Sequence, residues 1–150
     1  MKRLFPAWGM QRIWLVLLLA MVAGVASAAA AEPGVKAVYH FNEGLQQATN
    51  GLRNIRNHLS ADPKAKITVV AHAAGIDFLL EGAKDKNGNP YDAIVQDLVS
   101  QGVNFRVCNF TLQSRKIDKS RVIPEATIVP SGVAEISRLQ AVEHYAYVKP

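Results

Sequence analysis

Cysteine is nearly absent from this chain of 150 residues, which contains a single one, Cys108. One cysteine excludes an internal disulfide, the usual structural use of this residue in exported proteins. Three uses remain for Cys108: a small buried apolar side chain, an intermolecular bridge, or a reactive thiol. Its position, after a predicted strand and before a predicted helix, favours the reactive thiol.

The chain also lacks the motifs of nucleotide-binding proteins and of elbow-type hydrolases. It contains no G-x-G-x-x-G, no G-x-x-x-x-G-K-[ST] and no G-x-S-x-G pattern, so neither a nucleotide cofactor nor a hydrolase is predicted. No pair of histidine or cysteine residues has the short spacing of zinc ligands, which leaves a zinc site built from His40, His72 and Cys108 with little support. We therefore predict no cofactor and no metal.

The only long hydrophobic run lies in the first 31 residues, which have the pattern of a bacterial export signal. Lys2, Arg3 and Arg12 are followed by an apolar stretch at residues 13–26 and by small residues suited to signal peptidase. We predict a cleaved signal peptide over residues 1–31, a single domain over residues 32–150, and a periplasmic location. An uncleaved membrane anchor is the alternative, because residues 13–31 approach the length of a membrane-spanning helix.

Excess positive charge is largely confined to this segment. The chain has 17 basic and 12 acidic residues and a formal net charge of +5, which falls to +2 without the three basic residues of the predicted signal. The densest basic stretch, residues 115–121, is interrupted by Asp118 and is typical of a solvated helix end and loop. We therefore predict no nucleic-acid partner, and no membrane contact beyond the signal peptide.

Short β-branched and aromatic segments alternate with segments of helical periodicity. Strands are predicted over residues 35–41, 67–72, 103–108, 126–129 and 145–148. Asn42 is predicted to cap the first helix, and Ser131 the last one, which would turn Val133, Ile136 and Leu139 toward the core. Continuous apolar strands separated by helices indicate a parallel sheet covered on both faces. The predicted fold is α/β: a three-layer α/β/α sandwich with a mainly parallel, five-stranded, doubly wound sheet.

Polar and reactive residues follow the ends of the predicted strands, and ligands bind outside the carboxyl ends of open parallel sheets. These residues are His40, Asn42, His72, Gly75, Cys108, Asn109, Thr111, Ser131 and Gly132. Gly75 and Gly132 lie where the backbone must turn or where an anion could approach, although both also fit ordinary turns. The convergence predicts a functional site on this rim.

Cys108 is the predicted centre of that site. Backbone N–H groups and the dipole of the following helix would lower the thiol pKa from about 8.5. Such a thiolate could accept and pass on a sulfane sulfur, with His72 or His40 as a base or proton donor beside it. The alternatives are an inert, packed cysteine and histidines that only bond loop carbonyls.

Four short sequence segments, spread along the whole domain and in the same order, resemble those of the DsrE/DsrF-like proteins. They are Val-Tyr-His-Phe-Asn at residues 38–42, Val-Val-Ala-His-Ala-Ala-Gly-Ile at 69–76, Cys-Asn-x-Thr-Leu at 108–112 and Val-Pro-Ser-Gly-Val-Ala-Glu at 129–135. The resemblance implies a flavodoxin-like or Rossmann-like fold, oligomeric assembly and, for some members, sulfur relay through a cysteine persulfide. Cys108 would then be the carrier. The best-understood sulfur-transfer members are cytoplasmic hetero-oligomers, whereas this chain resembles a small, exported branch.

Three functions follow as hypotheses. The first is periplasmic sulfur handling through a persulfide on Cys108, tuned by His72 or His40, in a homo-oligomer that exchanges sulfur with a donor or acceptor protein. The second is a non-enzymatic module that binds a small molecule or a partner at the same rim. The third is a structural oligomer with a separate partner chain.

Overall fold

A computed structural model of the chain describes residues 34–150. The strands in this part are β1 (Lys36–Phe41), β2 (Lys66–Ala71), β3 (Asn104–Cys108), β4 (Ala126–Val129) and β5 (Ala146–Val148). The α-helices are α1 (Leu45–Ala61), α2 (Tyr91–Ser100), α3 (Asn109–Ser114) and α4 (Gly132–Ala141), and 3-10 helices span Ala73–Leu79 and Lys119–Arg121. The signal peptide predicted over residues 1–31 lies outside the described residues.

The five strands form one sheet in the order β4-β3-β2-β1-β5, and every neighbouring pair is parallel. The chain steps outward from β1 to β4, and α4 then returns across the sheet so that β5 pairs with the other side of β1. The predicted α/β fold with a five-stranded parallel sheet is confirmed. All strands point the same way, so their carboxyl ends share one edge.

One face of the sheet carries the larger core. Alternate strand residues, among them Phe41, Val69 and Phe105, pack against α1, α2 and the 3-10 helix Ala73–Leu79. Phe78 lies at the centre of an aromatic cluster, with ring centroids 5.3 Å from Phe41 and 6.2 Å from Phe105. This packing holds the helices of this face against β1, β2 and β3.

The opposite face carries a smaller core beneath α4. Val38 and Val70 of the sheet pack against Ile136 and Leu139 of α4, with Tyr145 beside them. The same face carries Arg106 of β3, which forms an ion pair with Glu135 of α4. These contacts hold α4 across the sheet and bring its first residue to the carboxyl ends of the strands.

Two details differ from the sequence-based predictions. Asn42 does not cap α1: Gly44 occupies that position, and the Gln47 side chain accepts the N–H groups of Asn42 and Glu43 at 2.9 and 2.8 Å. Val133 does not face the core and is 61% exposed, because the buried face of α4 is formed by other residues, namely Gly132, Ile136 and Leu139. Residues 34–150 contain no helix that is both long and apolar enough to span a membrane.

Candidate thiol site at the carboxyl edge of the sheet

Cys108 is the last residue of β3 and the residue that precedes α3. It is only 5% exposed. Burial raises the pKa of its thiol, but hydrogen bonds from the backbone N–H groups of Gly132, Thr111 and Phe110 and from the Thr111 hydroxyl outweigh burial, so the pKa lies below its ordinary value. The surroundings of Cys108 therefore stabilise the thiolate, the nucleophilic form of the residue.

Thr111 links the thiol to the end of β2. Its Oγ1 accepts the N–H of Ala73 at 3.0 Å while its hydroxyl hydrogen remains available to the sulfur. Ala73 has a φ of 52°, a left-handed conformation that alanine rarely adopts and that costs about 1–2 kcal/mol. Thr111 thus both stabilises the thiolate and holds the turn that follows His72.

The thiol borders an open cavity of about 350 Å³. The cavity is lined by His72, Cys108, Phe110, Thr111, Ser114, Ser131 and Val133. Its size suits a small molecule or a short segment of a larger one. Two other cavities, of about 200 and 230 Å³, lie against Thr49 and Tyr91 on the far side of the sheet and are lined by no cysteine or histidine.

His72, His40 and Tyr147 form a chain of hydrogen bonds that begins at this cavity. The Nε2 atoms of the two histidines are 2.6 Å apart, and their rings stack with centroids 4.7 Å apart. His40 Nδ1 is 2.6 Å from the Tyr147 hydroxyl on β5. The register explains the alignment, since Val38 of β1 pairs with Tyr147 and His40 lies two residues further along the same face.

The electrostatic setting keeps these rings neutral. Burial, followed by the proximity of His72 and Lys149, lowers the pKa of His40 to about 4 against the opposing effect of Glu43. Burial and then Lys149 also lower the pKa of His72. Lys149 itself pairs with Glu43 at 2.9 Å. A neutral His72 can accept a proton from the thiol, which a protonated imidazole cannot.

Gly132 closes the back of the site. A Cβ atom at this residue would lie 3.2 Å from both the Cys108 Cβ and the His72 Cβ. The absence of a side chain at Gly132 therefore lets α4 approach the thiol and the imidazole together. Ser131 caps α4 by accepting the Ala134 N–H at 3.3 Å, as predicted from the sequence.

Five of the nine predicted rim residues do not line the cavity: His40 and Gly132, described above, and Asn42, Gly75 and Asn109. Asn42 hydrogen-bonds to Lys149 at the end of β1, beside the histidine pair. Gly75 is buried within a 3-10 helix, where a Cβ would lie 2.3 Å from the carbonyl carbon and oxygen of Phe41, so it has a packing role and does not approach a ligand. Asn109 lines a different cavity of about 180 Å³ with Lys119 and Pro130.

Tyr147, Phe110 and Val133 belong to the site but were not predicted. The alternation of residues along β5 could place Tyr147 on one face or the other, but only the pairing of β5 with β1 brings it to His40. Within residues 34–150, no group of three or more histidine, cysteine, aspartate and glutamate side chains could hold a metal ion. The site of this structure is thus a thiol, an imidazole pair and a partly apolar cavity.

These features define an α/β protein with a thiol of lowered pKa at the carboxyl edge of a parallel sheet. Comparison with known proteins gives the family. The DsrE/DsrF-like family matches residues 25–150, and the chain belongs to that family. No functionally curated protein matches it.

The solved structures that are similar to this one include the following two. A protein of unknown function from Methanobacterium thermoautotrophicum, MTH1491, is 29% identical, with a TM-score of 0.69 over 77% of this chain and 99% of that protein. The ychN protein of E. coli is 14% identical, with a TM-score of 0.59 over the same shares of the two chains, and shows a likeness of fold alone.

Proposed function

We propose that this protein handles sulfane sulfur, which it carries as a persulfide on Cys108. The observation that carries the proposal is the placement of a thiol of lowered pKa on an open cavity beside a neutral imidazole. A buried cysteine that served only as packing would need neither the donors around its sulfur nor access to a cavity. Membership of the DsrE/DsrF-like family supports the same chemistry.

The transfer of sulfur to Cys108 conserves atoms and electrons. The Cys108 thiol loses its proton to His72, and the thiolate attacks the outer sulfur of a persulfide R–S–S–H. A new S–S bond forms at Cys108, the old S–S bond breaks with its electron pair on the departing R–S⁻, and Cys108 holds –S–S–H. Delivery to an acceptor thiolate is the same step in reverse, so no oxidant or reductant is consumed.

Mass spectrometry of the intact mature protein before and after polysulfide treatment tests this proposal. We expect a gain of one sulfur mass that reduction removes and that Cys108→Ser abolishes. A folded, fully reduced protein that gains no sulfur would contradict the proposal.

The cavity also favours a second candidate, a non-catalytic module that binds a small molecule, because its volume of about 350 Å³ is that of a ligand site. In that case Cys108 contributes only packing. Binding measured by calorimetry would then survive Cys108→Ser with unchanged affinity, whereas a persulfide carrier loses its function.

We further propose export to the periplasm and assembly into a homo-oligomer that exchanges sulfur with a donor or acceptor protein. The sequence pattern of residues 1–31 supports export. Membership of the DsrE/DsrF-like family supports assembly. N-terminal sequencing of protein from the periplasmic fraction tests export, and light scattering tests assembly, which a strict monomer would contradict.

A further inference from the structure

Two large apolar side chains stand at the mouth of the thiol cavity. Phe110 is 62% exposed and Val133 is 61% exposed, and both line the cavity that contains Cys108. They come from different elements, α3 and α4, so the cavity has an apolar residue on each of these two walls. Exposed apolar side chains beside a reactive group indicate contact with an apolar ligand.

The hydroxyl groups that line the cavity are already hydrogen-bonded within the chain. Thr111 Oγ1 accepts from Ala73, Ser131 Oγ accepts from Ala134, and Ser114 Oγ donates to the Thr111 carbonyl at 3.1 Å. Each of these three hydroxyl groups is thus already held by a backbone partner, so none of them is left without a hydrogen bond for a ligand to satisfy.

Charged side chains are missing from the part of the cavity lining that residues 34–150 supply, which contains no lysine, arginine, aspartate or glutamate. The ionic residues near it are engaged elsewhere: Arg115 pairs with Asp77 at 2.6 Å, and Lys149 pairs with Glu43 at 2.9 Å. A charged substituent in this cavity would give up part of its hydration without gaining an ionic partner, which disfavours its binding.

We propose that the cavity takes a small sulfane-sulfur donor whose organic substituent is apolar and uncharged. The substituent packs between Phe110 and Val133, and the transferable sulfur meets the Cys108 thiolate. This inference rests on the proposed persulfide function and specifies the class of its substrate. A protein donor that docks on the same rim is the competing source of sulfur.

Thiosulfonates, R–SO₂–S⁻, allow the effect of the organic substituent R to be tested, because the sulfur-donating group stays the same while R is changed. The Cys108 thiolate attacks the terminal sulfur, a new S–S bond forms, and the bond to the sulfonyl sulfur breaks with its electron pair on the departing sulfinate, R–SO₂⁻. Cys108 then holds –S–S⁻, and both sides of the reaction carry the same charge. Neither an oxidant nor a reductant is needed.

The experiment compares benzenethiosulfonate with methanethiosulfonate on the folded, reduced protein. The second-order rate constant of persulfide formation is followed by intact mass, and the ratio of the two constants is divided by the same ratio for a small free thiol. We expect a corrected preference of about tenfold for the phenyl donor, the effect of burying a fraction of one ring. A carboxylate on the ring should remove this preference.

Variants of exposed residues show which side chains cause the preference for the phenyl donor. Val133→Ser and Phe110→Ser should each reduce the corrected ratio several-fold, because each removes one apolar wall. Val142→Ser is the control: Val142 follows α4, is 68% exposed, and does not line the cavity. All three positions are exposed, so the variants should fold, and circular dichroism with urea unfolding checks this.

The outcomes separate this inference from the proposed function. Persulfide formation from both donors at the ratio of the free thiol would overturn the inference and leave the persulfide function standing, with a protein donor as the favoured source. A preference that Val142→Ser reduces as much as Val133→Ser would also overturn it. No persulfide from any donor would overturn the proposed function itself.

Discussion

His40 and His72 face each other through their Nε2 atoms, which are only 2.6 Å apart. Two neutral imidazoles at this distance share a single proton, because two N–H groups would repel each other and two lone pairs would leave the contact unbonded. The ring to which this proton is bonded is the Nε2–H tautomer. The other ring must carry its own proton on Nδ1. The state of one ring therefore determines the state of the other.

This relationship predicts opposite tautomers for the two histidines. At neutral pH, ¹⁵N chemical shifts of the imidazole nitrogens should show one ring protonated at Nε2 and the other at Nδ1. Tyr147→Phe removes the hydroxyl that is 2.6 Å from His40 Nδ1, so it should change the populations of both rings together. Two rings in the same tautomer, or a shift confined to His40, would contradict the pairing.

A second prediction concerns stability in acid. The pKa of His40 is about 4 in the folded protein against 6.5 for an ordinary histidine, so the unfolded chain binds the extra proton first as pH falls. The free energy of unfolding should therefore be unaffected by His40 above pH 6.5, decrease between pH 6.5 and about 4, and level off below.

His40→Gln should remove part of this loss of stability in acid because glutamine does not titrate. With allowance for solvent screening of a partly exposed pair, the free energy of unfolding lost between pH 6.5 and about 4 should be smaller in the variant by about 1–2 kcal/mol. Urea unfolding at several pH values measures it. His144→Asn is the control, since His144 lies away from the rim at a φ of 59°, which asparagine tolerates. An equal effect of both substitutions would show that the pair is not responsible.

Thr111→Val tests the support of the thiolate. The substitution removes a donor to Cys108, so the thiol pKa should rise. It also removes the acceptor of the Ala73 N–H, so the free energy of unfolding should fall by about 1–2 kcal/mol. The pH dependence of Cys108 alkylation by iodoacetamide reports the pKa, and urea unfolding reports stability. Thr127→Val, at an exposed position on β4, should change neither. An unaltered thiol pKa in Thr111→Val would exclude this role for the hydroxyl.

The fold and part of the site were predictable because both depend on local patterns. Apolar runs mark the strands, and ligands bind at the carboxyl ends of parallel strands, so the sequence alone groups Cys108, His72, Thr111 and Ser131 on one rim. The structure places these four side chains around one cavity. Their chemical roles remain predictions.

The remaining features depend on tertiary contacts that local patterns do not encode. Tyr147 reaches His40 only because α4 carries β5 back to the free side of β1. Val133 has the helical spacing of a core residue, but it lies beside the buried face of α4 and not on it, so its side chain is exposed and borders the cavity. Asn42 has the residue type of a cap, but Gln47, one turn into α1, supplies the acceptor.

Gly75 gives the last prediction, because its position holds the two histidine-bearing strands together. A Cβ at Gly75 would lie 2.3 Å from the carbonyl carbon and oxygen of Phe41 and 2.5 Å from the Asn42 nitrogen, and these backbone atoms cannot rotate away. The same Phe41 carbonyl accepts the His72 N–H at 3.0 Å. Gly75→Ala should therefore lower the free energy of unfolding by about 2–3 kcal/mol and disturb the imidazole pair.

Gly44→Ala is the matched control for this substitution. No atom lies within 4 Å of a Cβ built at Gly44, and its φ of −70° suits alanine, so only a modest change at the helix cap, about 1 kcal/mol or less, is expected. Urea unfolding and the ¹⁵N shifts of His40 and His72 should separate the two variants. If Gly75→Ala were as stable as Gly44→Ala and kept the histidine shifts, the close approach of Gly75 to the Phe41 backbone would have no part in holding the two imidazoles together.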